Sequence, residues 1–91
     1  MKQLPSYVSS YKMTPEFTSD TVPKGLLSAH QTKPGTWGLI VVLEGILEYR
    51  ILEPQQEIVT LDRDTVGVVE PTILHEVQPQ GNVRFYVEFY K

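Results

Sequence analysis

No window of about eleven residues in this chain carries a 3.6-residue apolar period, and proline or glycine interrupts every candidate helix. What remains are short runs rich in Val, Ile, Leu, Tyr and Phe, spaced roughly 8–12 residues apart and separated by turn-forming clusters. That pattern specifies an all-β fold, an antiparallel sandwich or barrel of seven or eight short strands. Gly25–Thr32 reads as the first of the main strands. Lys33-Pro34-Gly35-Thr36 is a turn, with proline presetting φ and glycine accepting a positive one. Trp37–Leu43 has the β-branched and aromatic content of a strand covered on both faces. Glu44-Gly45 is expected to reverse the chain tightly into Ile46–Leu52. Further strands are expected at Glu57–Leu61, Val66–Val69, Ile73–Gln78 and Val83–Tyr90, the last two joined by a turn at Pro79-Gln80-Gly81-Asn82. In the last strand Val83, Phe85, Val87 and Phe89 alternate with Arg84, Tyr86, Glu88 and Tyr90.

Residues 1–24 contain Pro5, Pro15 and Pro23 and read as an extended arm with one short edge strand near Tyr7–Tyr11. Residues 25–91 make the barrel. Ninety-one residues, 41% of them hydrophobic, build one domain with a modest core and leave no room for a second. A net charge of −3 argues against a dedicated nucleic-acid binder, which presents a basic face. The absence of cysteine removes disulfides, thiol nucleophiles and Cys-type metal sites. The longest apolar run, Leu39–Leu43, is far too short to cross a bilayer, and the first residues lack the apolar core of a signal peptide. A soluble, cytoplasmic protein is the expectation.

Chemistry has few places to reside. The only two histidines, His30 and His75, each sit beside strand-like sequence with Gly or Pro nearby. Neutral imidazole is the commonest protein ligand for transition metals. Each histidine reads equally well as a hydrogen-bonded interior residue of a β-barrel. Ser28 has no nucleophile elbow around it, and Asp62 and Asp64 form a charged turn rather than a catalytic pair.

An early histidine, a glycine-bounded reversal at Gly45 and then Gly67, Pro71 and His75 resemble the cupin pattern. Cupins are small antiparallel jelly-roll barrels whose metal ligands come from a His-x-His…Glu block and one later histidine. Here Thr32 stands where the second histidine would be and Gly38 where the glutamate would be, so at most two of the four usual ligands are present. A closer resemblance covers nearly the whole chain. It is carried by Thr14-Pro15-Glu16-Phe17, Val22-Pro23, His30 to Gly38, Val42 to Tyr49, Val69-Glu70-Pro71 and His75. These segments resemble the TehB-like (TehB/YeaR-like) cupin domain of tellurite resistance. In some members of that family the domain precedes a methyltransferase that acts on tellurite with S-adenosylmethionine. These 91 residues contain no methyltransferase glycine-rich loop.

The resemblance implies a cupin-like jelly roll that binds a small molecule, an oxyanion or a divalent metal, linked to tellurite or oxyanion stress. Two other functions stay open: a small metal-dependent cupin enzyme (isomerase or oxygenase) and a structural dimerisation module. If zinc, iron or nickel binds, His30 and His75 are the expected ligands, with Glu70 or Glu88 and water completing the shell. Trp37, Tyr86 and Thr32 are the expected pocket walls. A homodimer with Tyr7–Tyr11 near its interface is expected, since an edge strand leaves backbone groups for a partner to cover.

Overall fold

Two glycines decide the architecture. In the computed structural model, which describes residues 2–91, Gly45 and Gly81 hold φ of +84° and +80°. Each lies in the middle of a long strand rather than in a hairpin turn. The first long strand, β3, runs Trp37–Ile51, and the second, β6, runs His75–Tyr90. They pair antiparallel along almost their whole lengths, from Trp37↔Tyr90 to Ile51↔His75, with register shifts around Val42, Glu44 and Ile46.

The reversals expected at Glu44-Gly45 and at Pro79–Asn82 are therefore bulges. The two halves of β3 do not pair with each other; both pair with β6. The left-handed glycine conformation is absorbed as a local bend instead of a chain reversal. A side chain at Gly45 would run into the carbonyl of Asn82, so only glycine fits this crossing.

Short strands flank the bent ribbon. Here β1 is Ser10–Met13 and β2 is Phe17–Thr18, both on the outer edge of β6. On the far edge of β3 lie β4 (Glu57–Leu61) and β5 (Gly67–Val69). The order is β1-β6-β3-β4, so β1 and β4 remain edges and the sheet is not closed into a barrel. The edge strand expected near Tyr7–Tyr11 is β1, slightly later in the chain. Met1, the first residue of the expected arm, lies outside the described residues. Gly25–Thr32 is not a strand. Lys24–Leu26 forms a 3-10 turn, with Leu26 and Leu27 N–H groups donating back to Pro23 and Lys24 carbonyls, and only His30 bridges to the sheet.

The bend folds the ribbon onto itself and the core fills the angle. Ile40, Val42, Val83, Phe85 and Val87 from one half meet Leu47, Tyr49, Ile51, Leu61 and Val77 from the other in one buried cluster. Side chains of both halves crowd Gly67, where Leu61 and Tyr49 of one and Ile40 of the other leave no room for a Cβ. Phe17 adds its ring to Phe85, with centroids 5.6 Å apart. Burial of such alternating side chains is the main driving force for an all-β domain this small.

Candidate functional site

His30 and His75 are brought together by backbone pairing. The His30 N–H donates to the His75 carbonyl at 2.9 Å, and the His75 N–H returns the bond at 2.8 Å. Partners in such a pair project their side chains from the same face. On its other flank His75 is opposite Ile51, whose side chain is in the core, so both imidazoles face inward. Their ring centroids are 5.3 Å apart, edge to face, and the Tyr49 ring lies 5.8 Å from His75.

The protonation of His75 follows from its surroundings. It is buried, and its Nδ1 lies 2.9 Å from the Ile73 carbonyl. A carbonyl only accepts, so Nδ1 carries the proton and Nε2 presents a lone pair when the ring is neutral. Burial holds the pKa of His75 below the ordinary histidine range; the bond to Ile73 pulls it up and the charge of His30 pushes it further down. Burial, then the charges of Glu70 and Glu57, hold the Tyr49 phenol far above its ordinary value. Its hydroxyl donates to the Val68 carbonyl at 3.1 Å.

The two imidazoles close one end of a cavity of about 260 Å³. Phe17, Ile40, Val69, Phe85 and Phe89 are among the apolar residues of its wall. Thr32 and Thr14 also line it, and both hydroxyls are already engaged: Thr32 donates to the Thr36 carbonyl at 2.8 Å, and Thr14 accepts from the Val87 N–H at 2.9 Å. Among the described residues no lysine, arginine or carboxylate lines it.

Of the residues expected from sequence, His30, His75 and Thr32 share this cavity. The others are elsewhere. Glu70 follows β5 outside the lining and pairs with Lys2 at 3.5 Å. Glu88 and Tyr86 alternate with the inward Phe85, Val87 and Phe89, so they project from the opposite face of the sheet, as does Trp37 opposite Tyr90. The aromatic wall comes instead from Phe17, Phe85 and Phe89. Its sequence signal was the Val83-Phe85-Val87-Phe89 alternation, which groups these residues without saying which group faces in.

A metal shell does not assemble. His30 and His75 supply two imidazoles, but the register places Glu88 across the sheet from them and Glu70 is turned toward Lys2. Among the described residues no group of three or more His, Asp or Glu side chains converges.

A family model for the TehB-like domain matches residues 12–87. The chain is 32% identical over 72 residues to a probable S-adenosyl-L-methionine-dependent methyltransferase, TehB, of Haemophilus influenzae strain KW20 / Rd. The same figures hold for TehB of strain 10810. The match takes in 75% of this chain and 25% of the relative, so the chain spans about a quarter of the length of the curated relatives it matches. Among solved structures, TehB from Haemophilus influenzae superposes with a TM-score of 0.84 at 28% identity, covering 93% of this chain and 32% of that one. A protein from E. coli strain K12 superposes with a TM-score of 0.89 at 20% identity, covering 100% of this chain and 97% of that one.

These findings overturn the function expected from sequence. A small-molecule- or metal-binding cupin, a metal-dependent cupin enzyme and a structural dimerisation module all give way, because the matched relatives are probable S-adenosylmethionine-dependent methyltransferases. The resemblance to the TehB-like domain stands.

Proposed function

The chain belongs to the TehB-like domain family, and we propose that it is an accessory domain of S-adenosylmethionine-dependent methyl transfer, in the setting of tellurite resistance. One observation carries this reading. The family match fills this domain, yet the domain is only a quarter of the methyltransferase chain that contains its counterpart. Methyl transfer itself needs residues beyond the match.

The cavity supports that division of labour. About 260 Å³ is below the roughly 300–1,000 Å³ of pockets that hold drug-sized ligands. S-adenosylmethionine is larger than that cavity and carries ribose hydroxyls, a carboxylate and a sulfonium. Among the described residues the lining has no carboxylate to accept from ribose and no lysine or arginine to pair with a carboxylate. These residues do not fit the methyl donor. An oxyanion fits no better: among the described residues the wall has no lysine or arginine, burial disfavours the cationic form of His75, and its Nδ1 is engaged by the Ile73 carbonyl.

The fold and setting are part of the proposal. The ribbon of β3 and β6, bent at Gly45 and Gly81 around the cavity, supports reading the sheet as an opened form of the cupin-type jelly roll. A cytoplasmic protein suits a chain without cysteine.

The test is reconstitution in trans. Haemophilus TehB lacking its own N-terminal domain is assayed for S-adenosylmethionine-dependent methylation of tellurite, with and without a molar excess of this chain. The expected result is a higher rate when the chain is present. An unchanged rate at every excess, with the truncated enzyme shown to be folded, would refute the accessory role.

A further inference from the structure

The segment that matches the TehB-like domain begins at Lys12 and ends at Val87, and its two ends lie side by side. Lys12 is in β1 and Val87 in β6, which pair antiparallel with Met13 opposite Glu88. The Thr14 N–H donates to the Val87 carbonyl at 2.9 Å, and the Val87 N–H donates to the Thr14 hydroxyl at 2.9 Å. In the curated relative the match is 25% of the chain, so most of that chain lies beyond it. It departs from this one corner of the sheet whether it precedes the domain or follows it.

The same corner gathers exposed apolar side chains. Tyr7, Tyr11 and Met13 are 81%, 47% and 55% exposed and all fall within residues 7–13. The other large exposed side chains stand apart: Ile46 at the bulge of β3, Ile58 on β4 at the opposite edge, and Val66 just before β5. On the face turned away from the core, Tyr90 lies between Ser10 and Trp37, and Glu88 lies between Met13 and Leu39. Trp37, Leu39 and Tyr90 keep part of their surface in solvent. We infer that this corner, centred on Tyr11 and Met13, is the face that docks a methyltransferase catalytic domain carried on a separate chain. The inference rests on the accessory role proposed above and adds the surface through which that role is exerted.

Position and chemistry both favour that occupant. A short tether alone gives two domains an effective concentration of about millimolar, so a fused domain needs little contact area. A domain that acts on a separate chain has to find its affinity in its own surface. Tyr7 and Tyr11 precede the matched segment and supply side chains of the kind enriched at interface cores. Tyr11 is also held ready: Lys91 sets its Nζ 4.3 Å from the ring centroid, and Ser9 and Lys91 exchange backbone hydrogen bonds beside it. An anchor ordered before binding loses little entropy when it docks. Since β1 is an edge of the sheet, its outer backbone groups are open to the same partner.

The experiment measures binding by calorimetry and methylation rate side by side, with the full chain and Haemophilus TehB lacking its own copy of the domain. Every protein is checked by far-UV circular dichroism. Wild type is expected to bind with a Kd below about 100 µM. Tyr11→Ser and Met13→Arg change exposed positions at the corner, and each should weaken binding at least about tenfold. Ile58→Arg, on β4, should bind as wild type does. Full-length TehB, whose own domain holds the site, should bind the chain at least about tenfold more weakly than the truncated enzyme. Absence of binding at 100 µM overturns the inference, including the case of a chain that pairs only with itself through Met13. So does a Kd that both corner variants leave unchanged, one that Ile58→Arg weakens as much, or equal affinity for full-length and truncated enzyme. The two readings fail separately. Binding that the corner variants abolish, with no effect of wild type on the rate, supports the docking face and removes the accessory role. A rate increase that survives both corner variants does the reverse.

Discussion

Replacing His75 by asparagine should flatten the acid side of the stability curve. His75 is buried, and burial holds its pKa below the value near 6.5 that it has in the unfolded chain. The unfolded state therefore binds a proton before the folded state does. Above about pH 6.5 both are neutral and the imidazole contributes its full stability. As the pH falls below that, the unfolded state gains a proton that the folded state refuses, and stability drops until the buried ring protonates. The loss is at most about 1.36 kcal/mol per pH unit for one proton. For a domain of this size that is about 5–10 °C in Tm per unit.

Asparagine suits the test because it keeps a donor where Nδ1 meets the Ile73 carbonyl, yet it does not titrate. The variant starts from a lower Tm, since the ring contacts to His30 and Tyr49 are lost, but its slope is the readout. The assay is thermal unfolding followed by circular dichroism at closely spaced pH values between 5 and 7.5. The difference between wild type and variant removes the titration of the carboxylates that both share. Parallel profiles across pH 5 to 6.5 would refute the reasoning, because they would mean that the His75 imidazole is as easily protonated in the fold as out of it.

Two substitutions probe the backbone. Gly45→Ala forces an L side chain into φ +84° against the carbonyl of Asn82 and within 3.1 Å of the Val83 Cα, so it should cost more than about 2 kcal/mol in urea unfolding, whereas Gly25→Ala, with no atom within 4 Å, should be nearly neutral. Equal midpoints for the two variants would show that the bulge does not depend on glycine. Thr72 is β-branched yet sits at φ 64° in the turn that leads to His75; Thr72→Asn suits the left-handed region better and should raise the melting temperature by several degrees, about 1 kcal/mol, and a lower one would show that the Thr72 hydroxyl bond to the Pro71 carbonyl matters more than the strain.

Local chemistry determined much of this protein. The lack of any helical period, the alternation in Val83–Tyr90 and the Gly and Pro punctuation define an all-β antiparallel chain without reference to anything distant. Motif order was enough to point to the TehB-like family. Sequence also singled out His30 and His75, because no other histidines exist to choose from.

Three things only the tertiary structure decided. Gly45 and Gly81 have the local signature of hairpin turns, but whether a positive φ reverses a strand or bends it depends on which partner completes the hydrogen bonds, and that partner, β6 for Gly45 and β3 for Gly81, is distant in the chain. Alternation groups residues by face without naming the inner one: β6 carries Phe85 and Phe89 on one side and Tyr86 and Tyr90 on the other, so Trp37 and Tyr86 do not line the pocket expected of them and Glu88 does not face the histidines it is expected to join. And the pairing of His30 with His75 is a backbone contact across forty-five positions. It came from the fold of the bent ribbon, whose long-range hydrogen bonds place side chains that no local spacing can bring together.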